Sequence, residues 1–406
     1  MSAQEPSQGA SLYVHVPFCV SKCAYCDFYS LPAASTDPGE GLAFRDAVLG
    51  VVERSAASVL TDVSTIYLGG GTPTALGLLL PGLARDILGS VGARDDVEIT
   101  VETNPETSDA GLVAELVAAG VTRLSLGVQS FDDAVLATLG RCHDADTAWA
   151  AAAMLAACGV PFSLDLICGV PGQTDASWHR TLETALSTGA PHLSVYPLSI
   201  EEGTPIHRAI AEGGVPAPDP DAAADMMLAA DRLLEAAGLV RYEVANYARP
   251  GFESRHNLGY WTGVPYVGVG PSAHSMLPMA LARALEPASV WEPLLAGAPN
   301  DGRVRFCVND TLDDFLRDQW RRSATSFELL SSRDAGREDL MLGLRLSRGV
   351  TDDQAQAVGA AGTLVTLEAD GLVEHADGRW RTTRRGWLLG NEVFGRVWSA
   401  DEGPCR

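Results

Sequence analysis

Lysine is nearly missing from this 406-residue chain: Lys22 is the only one among 29 basic side chains. Set against 52 acidic residues, the basic side chains leave a formal net charge of −23. So acidic a chain does not suit a nucleic-acid binder, whose affinity rests on cations neutralising phosphates. Long apolar runs are also lacking. None approaches the ~18 residues that mark a membrane-spanning helix, so membrane association is peripheral at most. Residues Met1–Ala10 are polar and carry no basic-then-apolar leader pattern. A cytoplasmic, reducing location is the expectation, in which cysteines act as ligands, reactive thiols or small core residues and do not form a disulfide framework. There is no H-E-x-x-H sequence, which disfavours a zinc hydrolase. Internal repeats and low-complexity tracts are absent too. Apolar residues are not scarce, at 46%, so a sizeable core is available and wholesale disorder is excluded.

From Ser11 to Ser199, β-branched runs alternate with helical patterns. Strands are expected at Leu12–Val16, Thr65–Leu68, Val97–Glu102, Arg123–Val128, Phe162–Ile167 and His192–Pro197. Helices are expected at Leu42–Leu60, Leu76–Leu88, Ser108–Ala119, Ala145–Cys158 and Ser177–Ser187. The alternation predicts an α/β fold with a parallel sheet, as a barrel or a doubly wound layer. Glu212–Pro220 reads as a Gly/Pro linker, followed by a helix at Ala222–Ala237 and a strand at Tyr242–Ala245. Leu285–Gly302 reads as a connector. In the tail, helices at Thr311–Arg317, Arg337–Leu344, Asp352–Gly359 and Leu364–Ala369 precede a hairpin of Leu372–His375 and Arg379–Thr382 around Asp377-Gly378. That order predicts a small α+β, winged-helix-like module. It lacks a basic stripe, so nucleic acid is not its expected partner. The expected units are a flexible stretch 1–11, a core 12–211, an extension and linker 212–302, and a C-terminal domain 303–406.

Eight cysteines are present, and three of them crowd into one loop, Cys19-Val-Ser-Lys-Cys23-Ala-Tyr-Cys26, directly after a strand. Cys142, Cys158, Cys168, Cys307 and Cys405 are scattered. A structural zinc site wants four ligands, usually in two separated pairs. A [4Fe-4S] cluster takes one thiolate per iron. Three ligands from one loop leave the fourth iron open to the amino and carboxylate groups of S-adenosyl-L-methionine, whose sulfonium an electron from the cluster can cleave to a carbon radical. The bland alternative is three small core cysteines.

This loop resembles that of the radical SAM family. Further motifs follow in order: Gly69-Gly-Gly-Thr72-Pro-Thr74, Glu102-Thr-Asn-Pro105, Arg123-Leu-Ser-Leu-Gly127-Val-Gln129-Ser-Phe131, Leu139-Gly-Arg141 and Asp165-Leu-Ile-Cys-Gly169-Val-Pro-Gly-Gln173. Together they resemble the group that contains oxygen-independent coproporphyrinogen III oxidase, from Leu12 to about Ser275, with a weaker match at Leu340–Leu346. Three departures separate the chain from the oxidase branch. Phe28 stands where that branch has a fourth cysteine, only twelve residues precede Tyr13 where the oxidase has an extended arm, and Arg255-His256-Asn-Leu-Gly-Tyr260-Trp261 resembles the H-N-x-x-Y-W signature of the HemW-type heme chaperones. The resemblance implies a partial, open (β/α)6 barrel with a C-terminal α+β domain. It also implies a protein that binds heme, a [4Fe-4S] cluster and S-adenosyl-L-methionine. Such a protein passes heme to an acceptor hemoprotein, for instance of the respiratory chain, without oxidase activity. The alternative is the oxidase itself, decarboxylating propionate side chains in porphyrin biosynthesis.

The candidate residues have physical reasons beside that resemblance. Cys19, Cys23 and Cys26 are the iron ligands. Tyr13, Phe18 and Tyr25 flank them and could shield the cluster, or simply pack. Glycines permit close backbone approach, so the amides near Gly70, Gly71 and Thr72 could serve the cofactor's amino and carboxylate groups. Glu102 and Asp165, read as strand-end carboxylates, could accept from its amine or ribose hydroxyls. Gln129 and Arg141 are a neutral and a cationic partner. The resemblance places these residues around S-adenosyl-L-methionine. His256 is the candidate heme ligand, beside the flat faces of Tyr260 and Trp261. His15 reads as structural. His274 could face the same cavity, and Cys168 reads as a buried small hydrophobe.

Overall fold

The β-branched runs that alternate with helical patterns become six adjacent parallel strands. The computed structural model describes residues 9–32, 39–286, 288–308, 310–318 and 326–399. Cys405 and most of the 1–11 stretch lie outside them. The strands are β1 (Ala10–Val16), β2 (Val63–Gly70), β3 (Ala93–Thr103), β4 (Arg123–Gln129), β5 (Phe162–Cys168) and β6 (His192–Pro197). They pair side by side in that order, all parallel. The crossovers carry α1 (Glu40–Ala56), α2 (Leu79–Ser90), α3 (Ala110–Ala118), α4 (Ala145–Ala156) and α5 (Asp175–Ser187), and α6 (Pro220–Ala236) follows β6. Strand side chains alternate between faces. Leu12, Val14 and Val16 join Phe44, Val48 and Val51 of α1 in one core, and the intervening Tyr13 and His15 point to the opposite face, the barrel lumen.

The sheet continues beyond both ends of this barrel. On one side lie β7 (Val240–Arg241) and β8 (Asn246–Ala248), with β8 antiparallel to β6. On the other, β9 (Tyr266–Val269) runs parallel to β1, and β10 (His274–Pro278), β11 (Arg303–Cys307) and β12 (Ser326–Leu330) follow antiparallel. The resulting twelve-stranded sheet has the order β12-β11-β10-β9-β1-β2-β3-β4-β5-β6-β8-β7 and ends at β12 and β7 without closing. The architecture is the partial, open (β/α)6 barrel expected.

Two local expectations fail. Tyr242–Ala245 is a turn between β7 and β8, not a strand, because the buried Glu243 carboxylate folds back on the Ala245 amide at 3.1 Å. Leu285–Gly302 contains a helix, Ala288–Leu295. Its buried Trp291 and Leu295 are four residues apart, one helical turn, and the Trp291 ring packs 4.6 Å from that of Phe306. Pro293 inside this helix had disguised the period.

The tail has its own core, around Leu340, Leu364, Leu367, Val393 and Val397. A three-stranded sheet orders Val350–Thr351, Arg379–Thr382 and Val373–Ala376. Its hairpin turns at Asp377 and Gly378 with φ of 53° and 71°, the pair of positive values that a type I′ turn requires. A cut at residue 303 would divide the large sheet between β10 and β11. We propose a boundary near residue 331, where the second core takes over.

Phe44 ties the barrel core to the cysteine loop. Its ring meets Phe18 edge-on at 5.5 Å and lies 5.9 Å from Phe315 of α7 (Leu312–Asp318). Phe44→Ala is expected to lower unfolding free energy by about 3–5 kcal/mol, read from urea denaturation, and a loss below about 1 kcal/mol would contradict this packing.

Candidate functional site

Parallel strands deliver side chains to the lumen at matched heights. Register sets Tyr13 beside Tyr67, Glu102 beside Ser125, and Asp165 beside Ser194. The Tyr67 hydroxyl donates to Glu102 at 2.8 Å, the Gly70 amide donates to its other oxygen at 3.0 Å, and the Ser125 hydroxyl donates to Asp165 at 3.2 Å. Burial raises both carboxyls. Glu102 is pushed up to about 7, with the Asp165 charge adding to the effect and the Tyr67 hydrogen bond opposing it. Asp165 therefore belongs to a polar belt inside the barrel. It lies in the middle of β5, not at the strand end expected.

The cysteine loop crosses the open end of this belt. Gly71 allows it to seat, because a Cβ there would lie 2.7 Å from the Phe18 carbonyl and 2.9 Å from the Cys19 sulfur. At Gly70, φ is +110° and a Cβ would strike the His15 ring at 2.7 Å. The Ala24 amide donates to the Leu139 carbonyl at 2.9 Å, and the Ala24 carbonyl accepts from Ile206. Tyr25 packs against Val135, Leu139, Ile167 and Val170. A network of side-chain hydrogen bonds then spans two of the three sulfurs. The Thr72 hydroxyl donates to Cys19 Sγ at 3.6 Å and accepts from Asn104 Nδ2 at 2.8 Å. Asn104 Oδ1 accepts from Arg141 Nη2 at 2.7 Å, and Arg141 Nη1 donates to Cys23 Sγ at 3.2 Å. Burial opposes the Arg141 charge, but Cys23, Tyr25 and Glu106 outweigh it and hold the guanidinium above its ordinary range. Burial raises the Cys19 and Cys26 thiols.

Gln129 ends β4 in the left-handed region, φ 65°, a strained conformation for a residue with a side chain and a recurrent mark of functional sites. Its amide, Asn104 and Arg141 crowd around Gly127, where a Cβ would meet all three. Asn104, inside the Glu102–Pro105 motif, had not been singled out. Its position two residues beyond a lumen-facing strand carboxylate was the available signal.

These residues fit a thiolate-bound cluster. Among the described residues, no three His, Cys, Asp or Glu side chains are grouped to hold a single metal ion. A structural zinc needs four ligands on one point, whereas the thiolates of a [4Fe-4S] cube each take a different iron. The neighbouring side chains also offer an anionic sulfur two donors, from Thr72 and Arg141. The glycine expectation needs correction. The Gly70 amide is taken by Glu102, the Gly71 amide by the Val16 carbonyl at 2.8 Å, and the Thr72 amide by the Phe18 carbonyl at 2.7 Å. The polar side chains beside the loop are instead Asn104, Gln129 and Arg141, which meet around Gly127. Cys168 is a buried thiol pushed up to about 12 by burial, as befits a small hydrophobe.

The histidines divide sharply. His256, on α8 (Arg255–Trp261), is 2% exposed, and burial pushes it down to about 3. Its Nδ1 bonds Thr65 Oγ1 at 2.7 Å and its Nε2 the Tyr260 hydroxyl at 3.1 Å. Both ring nitrogens are engaged, so the arrangement opposes iron ligation by His256. The Trp261 face is taken as well, since the Arg345 guanidinium lies over it at 5.1 Å. In His15, Nε2 donates to the Tyr29 carbonyl at 2.8 Å and Nδ1 accepts from the Tyr13 hydroxyl at 3.0 Å. His274 is exposed and lines a cavity of about 690 Å³ beside the cysteine loop, with Tyr13, Phe28, Tyr260 and Tyr266.

Comparison with known proteins shows the family and the fold. The model of the Radical SAM superfamily matches residues 13–185, and that of the HemN C-terminal domain matches residues 330–389. The chain is 36% identical over 397 residues to a heme chaperone HemW of Mycobacterium tuberculosis, covering 96% of this chain and 95% of that one. It is 32% identical over 396 residues to the heme chaperone HemW of Bacillus subtilis, covering 95% and 98%. The solved structure of coproporphyrinogen III oxidase (HemN) from Escherichia coli, described as a radical SAM enzyme, superposes with a TM-score of 0.77 at 22% identity over 98% of this chain and 92% of that one, a likeness of fold. No helix among the described residues is long and apolar enough to cross a membrane.

The raised Glu102 has a consequence for stability. A carboxyl whose folded value exceeds its ordinary 4.5 stabilises the fold fully below pH 4.5, and that contribution is lost as pH rises through about 7. Glu102→Gln should remove this component of the decline, measured as urea midpoints from pH 4.5 to 8. An unchanged pH profile in the variant would contradict the assignment.

Proposed function

The chain belongs to the HemW family of the radical SAM superfamily, and from that premise we propose that it is a heme chaperone. It binds a [4Fe-4S] cluster, S-adenosyl-L-methionine and heme, and passes heme to an acceptor hemoprotein such as one of the respiratory chain, in the cytoplasm. The observation that carries this reading is that two loop sulfurs accept hydrogen bonds, Cys19 from Thr72 and Cys23 from Arg141, beside an aromatic-lined cavity.

Cys19, Cys23 and Cys26 hold the cluster, which when bound supplies an electron and one open iron for the nucleotide's amino and carboxylate groups. Arg141 stabilises thiolate charge and offers a guanidinium to a carboxylate. Asn104 and Thr72 hold Arg141 and Cys19 in register. Gln129 adds an amide at the same place. Glu102 and Asp165 accept from the nucleotide's amine or ribose hydroxyls, with Tyr67 and Ser125 fixing their orientation. Gly70 and Gly71 contribute space, and Tyr13 and Tyr25 exclude water. Phe28, where the oxidase branch carries a fourth cysteine, leaves an apolar surface at the cavity mouth instead of another thiol.

Anaerobic reconstitution is expected to load about four irons per chain, and replacing Cys19, Cys23 and Cys26 by serine to abolish loading. Hemin should then bind saturably and move to an apo-hemoprotein, followed by that protein's Soret band. Absence of saturable heme uptake would refute the proposal, and stoichiometric protoporphyrinogen formation from coproporphyrinogen III would favour the oxidase. Asn104→Ala should speed iron loss to a chelator by about tenfold or more, as the loss of a ligand-orienting partner does elsewhere. An unchanged rate would show that Asn104 does not position the cluster ligands.

A further inference from the structure

The cavity beside the cysteine loop contains a histidine in the right condition to bind iron. Two histidines line it, His15 and His274. Both ring nitrogens of His15 are spent on Tyr13 and Tyr29. The His256 ring lies behind Tyr260, and its nitrogens are spent on Thr65 and Tyr260. His274 opens β10 and is exposed, and among the described residues nothing hydrogen-bonds its ring. Partial burial of the ring and the nearby Arg305 charge lower its proton affinity against the opposing Asp310 charge, which favours the neutral form that ligates iron.

Its placement is built into the backbone. At Gly268 a Cβ would lie 2.1 Å from the His274 carbonyl, so only glycine lets β10 close onto β9. The Gly268 amide donates to the Ser275 hydroxyl at 2.9 Å across the same pair of strands. Ser272 makes the intervening turn at φ 57°. The rest of the lining suits a flat, apolar ring system with anionic edges. Tyr13, Tyr260 and Tyr266 supply aromatic faces, and the Tyr260 and Tyr266 rings meet edge-on at 4.8 Å. Phe28 stands 67% exposed at the mouth. Lys22, whose ammonium reaches the Phe28 carbonyl at 3.3 Å, and Asp27 complete the rim. Of these two, the ammonium is the group that attracts a carboxylate. The cavity, about 690 Å³, falls within the range of small-molecule and cofactor sites.

We propose that His274 is the axial ligand of heme iron in this cavity, with Lys22 pairing with a propionate carboxylate and Phe28 covering the macrocycle. This deepens the heme-chaperone reading and rests on it. It also moves the ligand from His256, in the signature run, to a side chain outside it, and makes His256 a positioning residue that holds Tyr260 in the cavity wall.

The test titrates hemin into the reconstituted full-length chain and reads difference absorbance and ferric-heme electron paramagnetic resonance. His274→Gly should change the ligand-field signals and weaken hemin binding by about tenfold or more. Added imidazole should restore the wild-type signals. Lys22→Ala should weaken binding without moving the signals, and His256→Gln should keep the wild-type ligand-field signals. If His274→Gly leaves the signals unchanged, or His256→Gln alone abolishes them, the assignment is overturned while the chaperone reading stands. If the wild-type chain takes up no hemin, the chaperone reading fails first and the ligand assignment with it.

Discussion

Two sulfurs of one loop are joined through three side chains that come from three separate places in the sequence. Thr72 and Asn104 sit just past the carboxyl ends of β2 and β3, and Arg141 follows β4 after a short intervening helix, Asp133–Thr138. A parallel barrel brings those ends to one rim, which is where such folds build their sites. The consequence is electrostatic as much as geometric. Three thiolates in eight residues repel one another and resist burial, and without a nearby cation the loop would favour protonated, mutually distant sulfurs. The Arg141 guanidinium answers that repulsion at Cys23, and Asn104 fixes its orientation. The glycines of β2 and its turn then let the loop descend onto the rim. Without that descent Cys19 could not approach Thr72, and the cavity beneath Phe28 would lose one wall.

The lumen behind this rim solves a second problem of the same kind. Buried carboxylates are costly unless they are hydrogen-bonded or protonated. Glu102 and Asp165 receive donors from Tyr67, Gly70 and Ser125, yet burial still raises both. Charge is therefore sorted across the site, with a cation beside the sulfurs and two acids deeper in the barrel.

How much of this was legible in the sequence depended on the range of the interaction. The six barrel strands were readable because each is a β-branched run between helical periods, a local signal. The cysteine triplet and Arg141 were readable because short motifs carry them. Asn104 was not, since its role exists only through partners 32 and 37 positions away. The direction of the glycine amides was likewise invisible. Glycine declares that backbone can come close, but whether Glu102 or a ligand takes the Gly70 hydrogen is decided by packing. The strand expected at Tyr242–Ala245 failed because Glu243 turns inward, which composition does not encode. The histidines make the same point most plainly. Residue type nominated His256, while the hydrogen-bond state of each ring, a tertiary property, singles out His274.

The His256 signature run acquires a different meaning from that result. Glu98 of β3 accepts from the first amides of α8 at 3.2 and 3.0 Å, and His256 reaches Thr65 of β2. At the other end of the helix, Trp261 lies under Arg345, whose guanidinium also covers Phe394 of the C-terminal unit at 4.5 Å. The Trp387 indole donates to the Val244 carbonyl at 2.8 Å, and Ser347 donates to the Arg241 carbonyl at 2.8 Å. The run therefore works as a strut: one end is anchored in the parallel sheet, the other is clamped by the second unit, and Tyr260 is carried on it into the cavity wall. The C-terminal unit thus touches the helix that carries Tyr260 directly, through Arg345 on Trp261, whereas the cysteine loop is held separately by Tyr29, Leu139 and Ile206.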